Sequence, residues 1–101
     1  MLTVERLTQK LRPNKIGELE ELDKKYTALE KEFGFPPKKR YQLIAGGSDF
    51  NTLIVERHWE SMAKMEAAYA KALANEEYQK LNQESSSVIK STQMELYTPL
   101  P

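Results

Sequence analysis

One histidine, a carboxylate two residues before it and a set of tyrosines are the side chains here whose chemistry could amount to a reaction. His58 is the only histidine, and Glu56 precedes it at the spacing that an extended strand folds onto one face, with Thr52 further back on the same face. A carboxylate so placed can orient an imidazole that acts as a base. Tyr97 adds a phenol able to meet a ligand oxygen. His58, Glu56 and Tyr97 are therefore the catalytic candidates. Two other roles compete for His58: axial ligation of haem, and the commoner one of a strand-end histidine that is exposed or hydrogen-bonded. With no second histidine and no cysteine, a zinc site has too few good ligands. No metal and no resident cofactor are expected.

Glu5, Glu56 and Glu95 place one carboxylate in each of three strand-like runs, accompanied by Arg6 and Arg57. Such residues ordinarily form cross-strand ion pairs, and a polar site built from them would need mutual pairing, since an unpaired buried charge is prohibitive. Tyr26, Tyr69 and Tyr78 fall on helical apolar stripes and are expected to pack in the core; Tyr41 and Tyr97 are left open. Met62 and Met65 should lie on the apolar face of a helix, bordering the space between helices and sheet. Lys38-Lys39-Arg40 reads as a solvated lead-in to an edge strand. Gly46-Gly47 lacks the helix that follows a phosphate-cradling loop and reads as a turn.

These residues need elements to hold them. Met1 to Gln9 alternates as a strand, with Leu2, Val4 and Arg6 on one side and Thr3, Glu5 and Leu7 on the other. Arg12-Pro13-Asn14 stops it, offering Asn14 as N-cap of a helix whose stripe is Ile16, Leu19, Leu22, Tyr26, Leu29 and Phe33. Gly34 can close that helix in the left-handed conformation, with Phe35 folding back on Leu29, and Pro36-Pro37 forbids continuation. Strands are predicted over Lys39 to Ala45 and Phe50 to His58, joined by the turn Gly46-Gly47-Ser48-Asp49. Ser61 should cap a second helix carrying Met62, Met65, Tyr69, Ala72 and Leu73 on one side; Asn75 should cap a short third helix burying Tyr78 and Leu81; Ile89 to Thr98 alternates again. The order is βαββαβ with an extra short helix before the last strand.

Right-handed crossovers then put the helices on one face of a four-stranded antiparallel sheet with the first and third strands central. Leu53-Ile54-Val55 offers apolar side chains to both faces, so the uncovered face is expected to pair with a second copy, sheet on sheet. The 101 residues are read as one domain spanning 1–101. Fifteen acidic and fifteen basic residues cancel, which removes the positive footprint that a nucleic-acid partner requires. The charged N-terminal run and the lack of any stretch of about eighteen apolar residues argue against a signal peptide or membrane insertion. A cysteine-free chain of this kind is expected in the cytoplasm.

Three corners carry a resemblance. Leu11-Arg12-Pro13-Asn14-Lys15 resembles the Lys-Pro-Gly-Lys type entry into the first helix of the NIPSNAP-like proteins, with Asn14 where the glycine usually stands. His58-Trp59-Glu60-Ser61-Met62, followed by Met65-Glu66, resembles their strand-to-helix corner, and Asn75-Glu76-Glu77-Tyr78 their short helix after the second. Over essentially its whole length the chain resembles the dimeric α+β barrel (ferredoxin-like) superfamily, and within it the NIPSNAP-like proteins. The resemblance implies an α+β, ferredoxin-like fold pairing into a dimeric barrel, with ligands between sheet and helices. That superfamily includes cofactor-free oxygenases, haem-dependent enzymes and isomerases, so fold alone does not select a reaction. The expectation is a homodimeric protein binding a small apolar or aromatic ligand in the helix–sheet cavity. Cofactor-free oxygenase or isomerase chemistry there would use His58, Glu56 and Tyr97. The alternatives are a non-catalytic interaction module and a haem-binding protein.

Overall fold

The computed structural model describes residues 2–47 and 49–101, so Met1 of the first predicted strand and Ser48 of the predicted turn lie outside the described residues. The elements are β1 (Thr3–Leu11), α1 (Ile16–Phe33), β2 (Lys38–Gln42), β3 (Thr52–Trp59), α2 (Met62–Leu73), α3 (Glu76–Ser85) and β4 (Ile89–Tyr97). The strands form one antiparallel sheet in the order β2-β3-β1-β4, with β1 and β3 central as expected. This is the α+β, ferredoxin-like arrangement.

Alternation along the two central strands sorts every side chain to a face. Thr3, Glu5 and Leu11 of β1, with Leu53, Val55, Arg57 and Trp59 of β3, are buried toward the helices. Val4, Arg6, Ile54, Glu56 and His58 take the opposite, open face. The apolar core joins Leu19, Leu22, Leu29 and Phe33 of α1 with Met65, Ala68 and Ala72 of α2, Leu81 of α3 and the strand residues above. Phe35 turns in against Trp59 and Tyr69, at 5.2 and 4.8 Å between ring centroids. The helices bury one stripe each because their apolar residues recur at three and four positions.

The corners follow local chemistry. Ser61 Oγ accepts the Lys64 amide and Asn75 Oδ1 accepts the Tyr78 amide, the two predicted caps. Gly34 closes α1 at φ 87°, its amide and that of Phe35 satisfying the last carbonyls. Asp49 Oδ1 accepts the Asn51 amide in an Asx turn that leads into β3.

Asn14 behaves differently from the expectation. Lys15, and not Asn14, occupies the N-cap of α1, and no side chain caps that end. Asn14 instead adopts φ 62°, a left-handed turn that asparagine tolerates and that glycine would take freely. Three stripe residues also fall outside the core, the first being Ile16 at the start of α1, which is exposed. Met62 and Leu73 sit at the two ends of α2 and are exposed, so Met65 alone of the two methionines is buried. β2 is shorter than predicted: its register with β3 ends at Gln42↔Leu53, and the Leu43 amide adds one more bond to the Thr52 carbonyl at 3.0 Å.

Candidate functional site

The face of α1 that meets the sheet is not purely apolar. Along the stripe, Leu19, Asp23, Tyr26, Glu30 and Phe33 follow one another at steps of four and three, so two carboxylates are carried inward with the leucine and the aromatics. Below them stand Leu7 of β1 and Val55 and Arg57 of β3. Between these walls lies a cavity of about 250 Å³. Its apolar surfaces come mainly from Leu7, Leu19, Val55 and Met94, and its polar surfaces from Tyr26, Tyr69, Tyr78, Glu30 and Arg57. Met94, one of the lining residues, is half-exposed because β4 is an edge strand.

An alternating chain of charges runs through the cavity wall at Arg57, Glu30, Lys38, Asp23 and Arg40 and continues beyond it to Glu5 and Glu20. Glu5 and Arg57 are direct cross-strand partners. Arg57 Nη1 donates to Glu5 Oε1 at 3.2 Å, and Arg57 Nη2 pairs with Glu30 Oε2 at 2.7 Å. Lys38 Nζ bridges Glu30 Oε1 at 2.9 Å and Asp23 Oδ1 at 2.7 Å. Arg40 continues the chain outward, donating to both carboxylate oxygens of Glu20 at 2.9 and 2.7 Å. Trp59 Nε1 donates to Glu5 at 3.2 Å, Tyr69 donates its hydroxyl to the same carboxylate, and the Arg57 guanidinium lies 5.0 Å from the centre of the Phe35 ring. Charges this deep persist only when each has partners on both sides. Burial works against the charge on Arg57, and the surrounding Glu30, Tyr69 and Glu5 outweigh it, raising its pKa above the arginine norm.

The three cavity tyrosines divide by what their hydroxyls already do. Tyr26 donates to Asn82 Oδ1 at 2.7 Å, with Ser85 Oγ at 3.3 Å. Tyr69 is committed to Glu5. Tyr78 packs edge-on against Tyr26 and Phe33, yet its hydroxyl has no hydrogen-bond partner among the described residues. Burial raises the pKa of all three; that of Tyr78 is pushed up to about 12, with Glu30 and Tyr26 reinforcing the effect, and that of Tyr69 goes higher still beside Glu5. All three are protonated donors near neutral pH. Core packing, expected for them from the sequence, is only half of their role.

The sequence candidates come together elsewhere. His58 Nε2 and Glu56 Oε1 are 3.2 Å apart, Arg6 donates to Glu56 Oε2 at 3.1 Å, and the Arg6 guanidinium lies 5.2 Å from the centre of the Tyr97 ring. Bonds from His58 and Arg6 hold the Glu56 carboxyl below the usual carboxylate range. His58, Glu56 and Tyr97 were expected at the helix–sheet cavity, but all three stand on the open face of the sheet and none of them lines that cavity. The reason is parity: Arg57 and Glu5 take the inward positions, which leaves Glu56, His58 and Arg6 outward. Glu95 shares their face, and Glu5 does not. The cavity offers haem no histidine or cysteine ligand: the one histidine stands on the opposite face, the chain has no cysteine, and of the three cavity tyrosines Tyr26 and Tyr69 have engaged hydroxyls, which leaves Tyr78. Among the described residues no cluster of three or more His, Cys, Asp or Glu side chains is arranged to hold a metal ion.

The sequence reading missed Glu30, Asp23 and Lys38 as site residues. A signal was present, because Asp23 and Glu30 interrupt the helical stripe and Arg57 has the same parity as Leu53, Val55 and Trp59.

No family model matches this sequence, and comparison with curated proteins gives no match. Solved structures do match. A NIPSNAP-like domain protein from Burkholderia xenovorans superposes with a TM-score of 0.84 at 18% identity, covering 98% of this chain and 85% of that one. A NIPSNAP family protein from Agrobacterium tumefaciens gives 0.84 at 17% identity, covering 99% and 94%. The chain has the ferredoxin-like fold of the NIPSNAP-like proteins. The same NIPSNAP-like fold extends to SnoaB, a cofactor-independent oxygenase from Streptomyces nogalater, in variant form, with a TM-score of 0.70 at 12% identity over 97% and 92% of the two chains. At these identities the likeness concerns fold. Among the described residues no helix is long and apolar enough to cross a membrane.

Proposed function

We propose that this protein binds a small, largely apolar molecule in the helix–sheet cavity and works as a homodimer closed through the open face of its sheet. One observation carries the reading: a partly open cavity of about 250 Å³ with apolar walls and convergent polar groups. That combination characterises ligand sites, and the volume, just under the roughly 300 Å³ at which such sites usually begin, calls for a small occupant. A fully packed core would have no reason to carry Glu30, Arg57 and three tyrosine hydroxyls around such a space. The apolar Ile54, Val4 and Tyr41 on the open face give a second copy something to cover. Because SnoaB is a cofactor-independent oxygenase with this fold, the reading extends to cofactor-free oxygenase or isomerase chemistry, with Tyr78 and Glu30 beside the ligand.

The test is a methyl-region NMR titration with 2-ethylnaphthalene. The expected shifts fall on Leu7, Val55 and Met94 and disappear in Val55→Phe, which fills the space. Shifts confined to Ile54, or none, overturn the cavity reading. Native mass spectrometry of wild type and Ile54→Lys tests the dimer, with a dimer expected for the first and a monomer for the second; a monomeric wild type removes that half of the proposal.

A second reading rests on the 3.2 Å His58–Glu56 pair. A sheet-on-sheet dimer would enclose it, and His58 could then act as a base oriented by Glu56, with Tyr97 beside them. His58→Ala separates the two readings: activity lost with cavity binding intact places the chemistry between the sheets.

A further inference from the structure

The proposed homodimer leaves open how its two sheets are turned relative to each other, and the open face carries a pattern that selects one way. Lys39 of β2 stands opposite Glu56 of β3, Glu56 opposite Arg6 of β1, and Arg6 opposite Glu95 of β4. All four point away from the helices: Lys38 and Arg40, on either side of Lys39, are bonded to α1 and so take the inward parity, and Glu56, Arg6 and Glu95 share the open face. The result is a row of charges, positive, negative, positive, negative, running straight across all four strands. The inner two are bonded to each other, Arg6 Nη2 to Glu56 Oε2 at 3.1 Å. The outer two, Lys39 and Glu95, are exposed and have no ion-pair partner among the described residues. They lie on the two edge strands, three strand spacings or about 14 Å apart, with Glu56 and Arg6 between them, and do not reach each other within one chain.

Two copies of one sheet that face each other are related by a two-fold axis lying in the plane between them. An axis along the strands exchanges β2 with β4 and β3 with β1. The row then meets itself in reversed order, and because an even number of charges alternates, every charge faces one of opposite sign. An axis across the strands sets each strand against its own copy, so a row superposed on itself faces like charge throughout, which costs free energy and disfavours that arrangement.

Resting on the dimer half of the proposed function, we infer that the open face docks a second copy turned about an axis parallel to the strands, with Lys39 paired to the partner's Glu95 and Glu95 to the partner's Lys39. The Arg6–Glu56 pair then lies over the partner's Glu56–Arg6 pair, a square of four charges at the centre of the interface. Aligned sheets cross at about 30°, which displaces positions little beside the axis and more toward the edges, where the long Lys39 and Glu95 side chains can follow. Apolar contact through Ile54 and its neighbours holds the copies together, and the charge row fixes how they are oriented.

Sedimentation equilibrium at low salt measures the dimer dissociation constant and tests the pairing by charge reversal. Lys39→Glu and Glu95→Lys each set like charges at both edge contacts, and each should raise that constant by about tenfold, about threefold for each of the two contacts. The double variant Lys39→Glu with Glu95→Lys restores opposite charges and should return to within about threefold of wild type. Lys25→Glu makes the same change of net charge on the exposed side of α1 and should leave the constant unaltered. A dimer indifferent to both single reversals, a double variant no tighter than either single one, or an equal loss in Lys25→Glu overturns the inference while the dimer stands. A wild type that remains monomeric removes the dimer itself, and the inference with it.

Discussion

Glu5 and Arg57 face each other across the two central strands, both directed into the helix layer, with 3.2 Å between Oε1 and Nη1. Both are buried: Glu5 is 0% exposed and Arg57, which also lines the cavity, 3%. Truncating Arg57 therefore strands a buried carboxylate. Arg57→Met should destabilise the fold by about 3–5 kcal/mol in urea denaturation, and adding Glu5→Gln should recover part of that loss. A single variant within about 1 kcal/mol of wild type would mean that water reaches Glu5 when its partner is removed.

Tyr69 is the partner of the second Glu5 oxygen. In Tyr69→Phe that oxygen loses its donor with no change of shape, and about 1–3 kcal/mol of stability should go with it. Thermal unfolding compared with Tyr78→Phe makes a control, because among the described residues the Tyr78 hydroxyl has no hydrogen-bond partner to give up.

Alkaline pH should unfold the protein through its buried phenols. An unfolded tyrosine ionises near pH 10, by about two units earlier than Tyr78 in the fold, whose pKa is pushed up to about 12. Stability from this source is complete below pH 10 and declines as pH rises through the folded value, since only the unfolded chain releases the proton in between. Ultraviolet titration should show tyrosinate from Tyr78 appearing together with loss of the folded circular-dichroism signal. Ionisation of all five tyrosines with a single midpoint near pH 10 and the fold intact would contradict it.

Acid should act through Glu56 and Glu20, whose carboxyls are held below their ordinary range by His58 with Arg6 and by Arg40 respectively. A lowered folded pKa means stability that is present above the unfolded carboxylate value of about 4.3 and is lost as pH falls through the folded value. Glu56→Gln should melt at a lower temperature than wild type at pH 6 and converge with it near pH 3. An equal gap at both values would remove the ion pairs from the explanation.

Asn14, at φ 62°, should accept glycine without loss. Asn14→Val places a β-branched residue in a left-handed turn and should lower stability by about 1–2 kcal/mol, read from the denaturation midpoint. Equal midpoints for the two variants would show that the turn relaxes.

Periodicity alone determined the element order, the faces of β1 and β3, the caps at Ser61 and Asn75 and the end of α1 at Gly34, because each depends on residues within a turn or two of one another. The pairing of His58 with Glu56 was equally local, a matter of two positions on one strand. Which side of the sheet would face the helices was not local. It depended on β1 and β3 adopting one shared register, in which Glu5 meets Arg57 inward and Arg6 meets Glu56 outward. One residue of slip exchanges the two sets. The cavity required more still, since Glu30 of α1, Arg57 of β3, Tyr69 of α2 and Tyr78 of α3 are far apart in the chain and meet only when the helix layer closes on the sheet. Their charges interrupt apolar stripes visibly in the sequence, but only tertiary packing shows that these interruptions fall opposite one another, which is what makes buried charge tolerable and leaves one hydroxyl free.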